Sequence, residues 1–126
     1  IIPIDVIVDG PDGQVVKNPD QVLPEENIMD VGPMTVAMLV TYIEKAKSIL
    51  WNGPFGAYDM GYTQSTEETA KHIAQADAFS VIGGGDTVAA IEKLELNDQF
   101  GFVSIGGGAM LSFLEKGTTS VIDCLK

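Results

Sequence analysis

Arginine is missing from this chain altogether, and cysteine, histidine and tryptophan occur once each in its 126 residues. Without arginine there is no planar guanidinium fork to grip a carboxylate or phosphate in bidentate fashion. The seven basic residues are all lysines, set against 18 acidic ones, for a formal net charge of −11. A field of that sign repels a nucleic-acid backbone, whose binding calls for a basic face, so no nucleic-acid partner is expected. The acidity reads as solubility. The lone cysteine, Cys124, excludes an internal disulfide and suits a reducing, cytoplasmic setting. No apolar run approaches the ~18 residues that a membrane-spanning helix needs, so no membrane partner is expected. No basic stretch followed by an apolar core and a cleavage site stands at the N-terminus, so no signal peptide is expected. The chain opens at Ile1 directly into an apolar, strand-like run, which points to a processed product or a piece of something longer.

What is present is the composition of a single globular domain: 45% hydrophobic and 20% charged residues. Ile4 to Val8 is β-branched and bounded by Pro3 and Gly10, which predicts a strand. Asp9-Gly10-Pro11-Asp12-Gly13 is turn chemistry, and Gln14 to Lys17 reads as an edge strand. A further short strand is expected at 28–31. Gly32-Pro33 then opens a helix whose apolar residues, Val36, Leu39, Val40 and Ile43, recur at helical spacing. Ser48 to Trp51 is a buried-type strand. Ser65 with Glu68 three residues on reads as a capping box opening a helix to about Gln75. Strands at 78–82 and 102–105 each lead into a helix, at 86–94 and 109–116, the last stopped by Gly117. Alternation of this kind predicts an α/β fold: a three-layer, Rossmann-like parallel sheet with helices on both faces.

Two segments repeat each other. Phe79-Ser80-Val81-Ile82 runs into Gly83-Gly84-Gly85, and Phe102-Val103-Ser104-Ile105 runs into Gly106-Gly107-Gly108. In an open parallel sheet, ligands gather outside the carboxyl ends of the strands, where these triplets belong. Glycine lets the backbone approach a ligand, and the helix that follows offers unpaired N–H groups to an anion. Two such turns side by side make a plausible polyphosphate cradle, joined by the loop from Asn52 to Asp59. Asp86 reads either as a first-turn carboxylate favoured at any helix start or as a magnesium anchor beside phosphates. Thr87 either offers its hydroxyl to a phosphate oxygen or simply fills a helical turn. The motif GxxxxGK followed by Ser or Thr is absent, and Val88 stands where GxGxxG needs its last glycine. HExxH, GxSxG and Cys/His clusters are also absent, so protease, hydrolase and zinc readings find no support.

The larger motifs resemble a known family. Trp51-Asn52-Gly53-Pro54-Phe55-Gly56-Ala57-Tyr58-Asp59 is similar to the WNGPxGxxE stretch of phosphoglycerate kinases. Residues 78–87 resemble their FSVIGGGD segment followed by Ser or Thr. Residues 104–109 are similar to their STGGGA turn, and residues 29–33 to their LDIGP. Four motifs in family order span most of the chain. The resemblance implies an enzyme of two Rossmann-like domains moving a phosphoryl group between 1,3-bisphosphoglycerate and Mg-ADP, giving 3-phosphoglycerate and ATP in glycolysis. Residues 1–126 would be part of the C-terminal, nucleotide-binding domain, without the N-terminal substrate domain, and the parent would be a monomer.

The resemblance assigns roles position by position. Asp86 would hold the Mg2+ of the ADP or ATP; Gly84, Gly85 and Thr87 would contact its phosphates. Asn52 would lie near the phosphates and Pro54 beside the adenine. Asp59 stands where the family usually has a ribose-binding glutamate, and it is one methylene shorter. Gly106 and Gly107 would open the helix facing the phosphoryl group in flight, with Ile105 in place of the usual threonine. Phosphoryl transfer needs cations around the moving group, yet no lysine follows a strand at the expected ligand edge. Lys45, Lys47, Lys93 and Lys116 fall near helix ends, Lys71 within a helix, Lys17 in a hairpin and Lys126 at the terminus. The segment is therefore expected to be inactive alone. A non-catalytic nucleotide-binding or interaction module reusing the fold is the alternative. Trp51 is expected in the core, His72 as an ordinary helix residue, and an unpaired sheet edge as a liability of so short a piece.

Overall fold

The apolar pattern changes character near residue 32, and the architecture changes with it. The computed structural model describes residues 1–11 and 13–125. Asp12 of the turn and the terminal Lys126 lie outside the described residues. Before the change, β1 (Val6–Gly10) pairs antiparallel with β2 (Gly13–Lys17); the strand expected at 4–8 lies two residues later, and Asp9, Gly10 and Gly13 of the expected turn belong to the strands. β3 (Asn27–Val31) then pairs with the other side of β1, also antiparallel. Sheet order is β2-β1-β3. A purely parallel arrangement therefore does not extend to these three strands; they form a small antiparallel sheet of their own.

Beyond it, α1 (Pro33–Ile43) leads to β4 (Ser48–Asn52), α2 (Gln64–Gln75), β5 (Phe79–Gly83), α3 (Gly85–Lys93), β6 (Phe102–Ser104) and α4 (Gly107–Lys116). β4, β5 and β6 form the expected parallel sheet in the order β4-β5-β6. A short helix, α5 (Ser120–Cys124), closes the chain and has no counterpart in the sequence reading.

The strands of the parallel sheet alternate between two faces. Trp51 and Ile82, paired in register, point to one face and are buried with Ala70 and Ile73 of α2, Ile91 of α3, and Phe100. This cluster is the core, and Trp51 belongs to it as expected. Leu50, Val81 and Phe102, also in register, point to the other face, where Met110, Phe113 and Leu114 of α4 stand over them. The sheet thus carries helices on both faces, but the α4 side is thinly covered: Leu50 and Phe102 are more than half exposed.

Two carboxylates seat two helices. Asp5, just before β1, accepts the backbone N–H of Met34 (2.9 Å) and of Thr35 (2.7 Å) and so caps α1 from outside. Asp30 of β3 accepts the hydroxyl and the backbone N–H of Ser65 in the first turn of α2. The capping box expected at Ser65 is therefore not formed. Ser65 lies inside the helix, Thr63 holds the cap position without a side-chain cap bond, and the acceptor comes from 35 residues upstream.

Candidate functional site

Parallel register brings the predicted loops together at one edge. Asn52 ends β4 opposite Gly83 of β5, and Gly83 lies opposite Ser104 of β6. All three turns leave the carboxyl side of the same sheet. The two glycine triplets lie side by side: a Cβ built on Gly107 would stand 3.7 Å from the Cα of Gly84.

The first triplet forms a helix entry that only glycine can make. Gly84 caps α3 with φ +90°, and a Cβ there would meet the Asn52 side-chain oxygen at 2.7 Å and the Gly53 nitrogen at 3.1 Å. Gly85 is the first residue of α3, and Asp86 and Thr87 follow in its first turn. The helix thus starts one residue earlier than the spacing predicts. The first N–H groups of a helix have no partner within it. Here Val88 is the first to bond back, to Gly84 O at 2.9 Å. Gly85 and Asp86 are exposed, and the Asp86 carboxylate has no hydrogen-bond or ion-pair partner among the described residues.

Thr87 is fully buried, and its hydroxyl oxygen accepts the Gly53 N–H at 3.0 Å. The hydroxyl ties the first triplet to the loop after β4, and its own proton is left for a further acceptor. The second triplet repeats the device. Gly106 caps α4, Gly107 opens it with φ +40°, and the Ser104 hydroxyl accepts the Gly106 N–H at 3.1 Å. α4 begins two residues ahead of the expected Ala109, so the glycines themselves present the helix N–H groups. Ile105, between β6 and the triplet, is 97% exposed.

The loop from Asn52 to Asp59 is held at both ends and in the middle. Besides Gly53, the Phe55 N–H is received by the buried Thr66 hydroxyl of α2 at 3.0 Å, and the Ala57 N–H by Met29 O of β3 at 2.9 Å. Phe55 stacks on Trp51 with ring centroids 6.0 Å apart. Pro54 is half-buried in the loop. Asp59 sits in a short 3-10 turn, Tyr58–Met60, with its carboxylate exposed. Sequence reasoning did not find Thr66, Asp30 or Ser65 as parts of this assembly. The local signals at Ser65 and Asp30, a capping-box spacing and a family motif, do not name these partners, which come from other elements.

Charge at the edge is sparse. Lys93 at the end of α3 reaches Glu67 of α2 at 2.8 Å. That carboxylate holds the Lys93 ammonium above the usual lysine value. The lysine in turn holds Glu67 below the ordinary range, against the opposing push of burial. Lys17, Lys47, Lys71 and Lys116 likewise stand beside carboxylates. His72, an ordinary helix residue as expected, has Glu68 one turn before it at 3.4 Å. Among the described residues no cluster of three or more His, Cys, Asp or Glu side chains could hold a metal unaided. Asp86 is a single carboxylate beside free N–H groups. It fits a magnesium ion that arrives with phosphate oxygens and keeps its waters, and does not fit an all-protein cage. No helix among the described residues is long and apolar enough to cross a membrane.

The family model described as phosphoglycerate kinase matches residues 1–117. A phosphoglycerate kinase of Coxiella burnetii is 43% identical over 119 residues, covering 90% of this chain and 30% of that protein. One of Francisella philomiragia is 42% identical over 113 residues, covering 89% and 29%. Among solved structures, the Coxiella burnetii phosphoglycerate kinase superposes with a TM-score of 0.87 at 42% identity, covering 99% of this chain and 33% of that one. That of Pyrococcus horikoshii gives 0.76 at 35% identity, covering 88% and 28%. The chain thus spans about 30% of the length of the curated relatives it matches. The agreement takes in the antiparallel sheet, the parallel sheet and both glycine turns, and on it this chain belongs to the phosphoglycerate kinase family.

Proposed function

We propose that residues 1–126 are part of the C-terminal, nucleotide-binding domain of a phosphoglycerate kinase. The parent moves a phosphoryl group between 1,3-bisphosphoglycerate and Mg-ADP, giving 3-phosphoglycerate and ATP, in the cytoplasm and as a monomer. The observation that carries this reading is the adjacency of the two glycine turns at the carboxyl edge of the parallel sheet. Free helix N–H groups at Gly85 and Asp86 offer donors to an anion, and a polyphosphate is the ligand such a pair suits.

In this reading Gly84, Gly85 and Thr87 hold the nucleotide phosphates, and Asn52 lies beside them. Pro54 lines the adenine, and Asp59 reaches the ribose, through a water if its shorter side chain falls short. Asp86 holds the magnesium, which neutralises phosphate charge when bound. Gly106 and Gly107 face the phosphoryl group in transfer. A phosphoryl group in flight spreads negative charge over its oxygens and needs cations around it. The turns after β4, β5 and β6 carry none. The remaining charge and the 3-phosphoglycerate site would come from outside this segment, and the segment alone would not turn over.

Calorimetry with Mg-ADP on the full-length protein carrying this segment, and on its Asp86→Ala variant, tests the site. The expected result is a loss of magnesium-dependent affinity of about tenfold or more, as for removal of a charge-assisted contact. Equal affinity in both proteins would remove Asp86 from the nucleotide role. The same lack of cations favours a second reading, a non-catalytic nucleotide-binding module. A coupled assay for ATP formation on the full-length protein separates the two, since only a kinase gives turnover.

A further inference from the structure

We propose that Asp30 is a positioning residue for the loop from Asn52 to Asp59, acting through the first turn of α2. Asp30 is 2% exposed and lies on β3, away from the glycine turns. Its carboxylate does three things at once. It receives the hydroxyl and the N–H of Ser65, which fixes the start of α2. It receives the N–H of Val31 at 2.8 Å, which fixes its own orientation. It also fills the niche opposite Gly56: a Cβ built there would meet the carboxylate carbon at 2.6 Å and Tyr62 O at 2.6 Å.

The next residue of α2 completes the link. Thr66, fully buried beside Ser65, receives the Phe55 N–H at 3.0 Å. The same strand, β3, receives the Ala57 N–H through Met29 O at 2.9 Å. The Asp30 carboxylate therefore joins β3, the start of α2 and the niche at Gly56, while Thr66 and Met29 hold the N–H groups on either side of that glycine. The loop conformation, and with it the seat of Asn52, Pro54 and Asp59, depends on a side chain that touches none of those three. Coupling of this kind travels through contiguous packed and hydrogen-bonded groups. The consequence for nucleotide affinity rests on the reading proposed above; the consequence for the loop does not.

Asp5 supplies a matched control. It is 3% exposed, caps α1 as Asp30 seats α2, and crowds Gly32 as Asp30 crowds Gly56, yet it does not reach the loop. Trp51, the sole tryptophan, stacks on Phe55 and reports the loop by its emission. The test compares Asp30→Asn, Thr66→Val and Asp5→Asn by Trp51 emission and by amide hydrogen exchange, below each variant's unfolding transition.

Asp30→Asn and Thr66→Val are expected to shift Trp51 emission and to speed exchange at Phe55 to Tyr62 about tenfold or more, while Asp5→Asn leaves both unchanged. Thr66→Val keeps side-chain volume and cuts the link at its loop end, so it carries the test if Asp30→Asn does not fold. An unchanged loop in Thr66→Val, or an equal change in Asp5→Asn, would overturn the proposal. Mg-ADP titration of the full-length Thr66→Val protein is read separately. A loosened loop with unaltered nucleotide affinity leaves the positioning role standing and counts against the nucleotide reading of the loop.

Discussion

At the scale of single residues, buried carboxylates set the local geometry. Burial pushes the Asp5 carboxyl up, but the Thr35 hydroxyl and the Met34 and Thr35 N–H groups outweigh it and hold the carboxyl below its ordinary value of 3.8. A carboxyl lowered in the folded state contributes stability that is complete above its unfolded value and drains away as pH falls through the folded one. Asp5→Asn is expected to cost about 1.5–3 kcal/mol at neutral pH, the range for hydrogen bonds to a charged group. The gap in melting temperature between the chain and this variant should begin to narrow below about pH 3.8 and go on narrowing as the folded carboxyl titrates at lower pH. Thermal melts across the acid range check both the size and the direction. Asp30 shows why such partners escape a sequence reading. Its role depends on Ser65, 35 positions away, and the Ser65/Glu68 spacing offered a local explanation that the fold does not use.

At the scale of elements, what repeats locally was legible and what pairs at a distance was not. The two strand–glycine–helix units stood out because each carries its own start signal and the second copy reinforces the first. Their helices begin one and two residues earlier than the apolar periodicity predicts, since periodicity sees the packed face and not the capping glycines. The hairpin of β1 and β2 was marked by its turn, whereas the return of β3 to the far side of β1 had no local mark. α5, five residues capped by Thr119, is too short to show a period. These differences predict a gradient of protection. β5, bonded on both sides, should have the slowest amide exchange in the parallel sheet, and the exposed α5 the fastest among the helices. Exchange by mass spectrometry or NMR checks the order, and a β5 that exchanges as fast as α5 would contradict it.

At the scale of the whole molecule, the parallel sheet is open. Neither β4 nor β6 has a second neighbour among the described residues, and Leu50, Phe79, Phe102, Phe113 and Leu114 are all about half exposed. Unpaired edges and contiguous apolar patches invite association. The 126-residue chain is therefore expected to self-associate as its concentration rises, and Leu50→Lys should reduce this without disturbing the opposite, Trp51-bearing face. Light scattering over a concentration series checks it; a monomer throughout would show that α4 shields the face adequately. One assembly carries the nucleotide site, the paired glycine turns with Asp86 beside them. The most direct measurement is an NMR titration of the chain with ADP, with and without magnesium. Amide shifts are expected to concentrate at Gly84 to Thr87, Gly106 to Gly108 and Asn52 to Asp59, with those around Asp86 dependent on magnesium. Shifts centred elsewhere on the chain, or none at millimolar nucleotide, would contradict it.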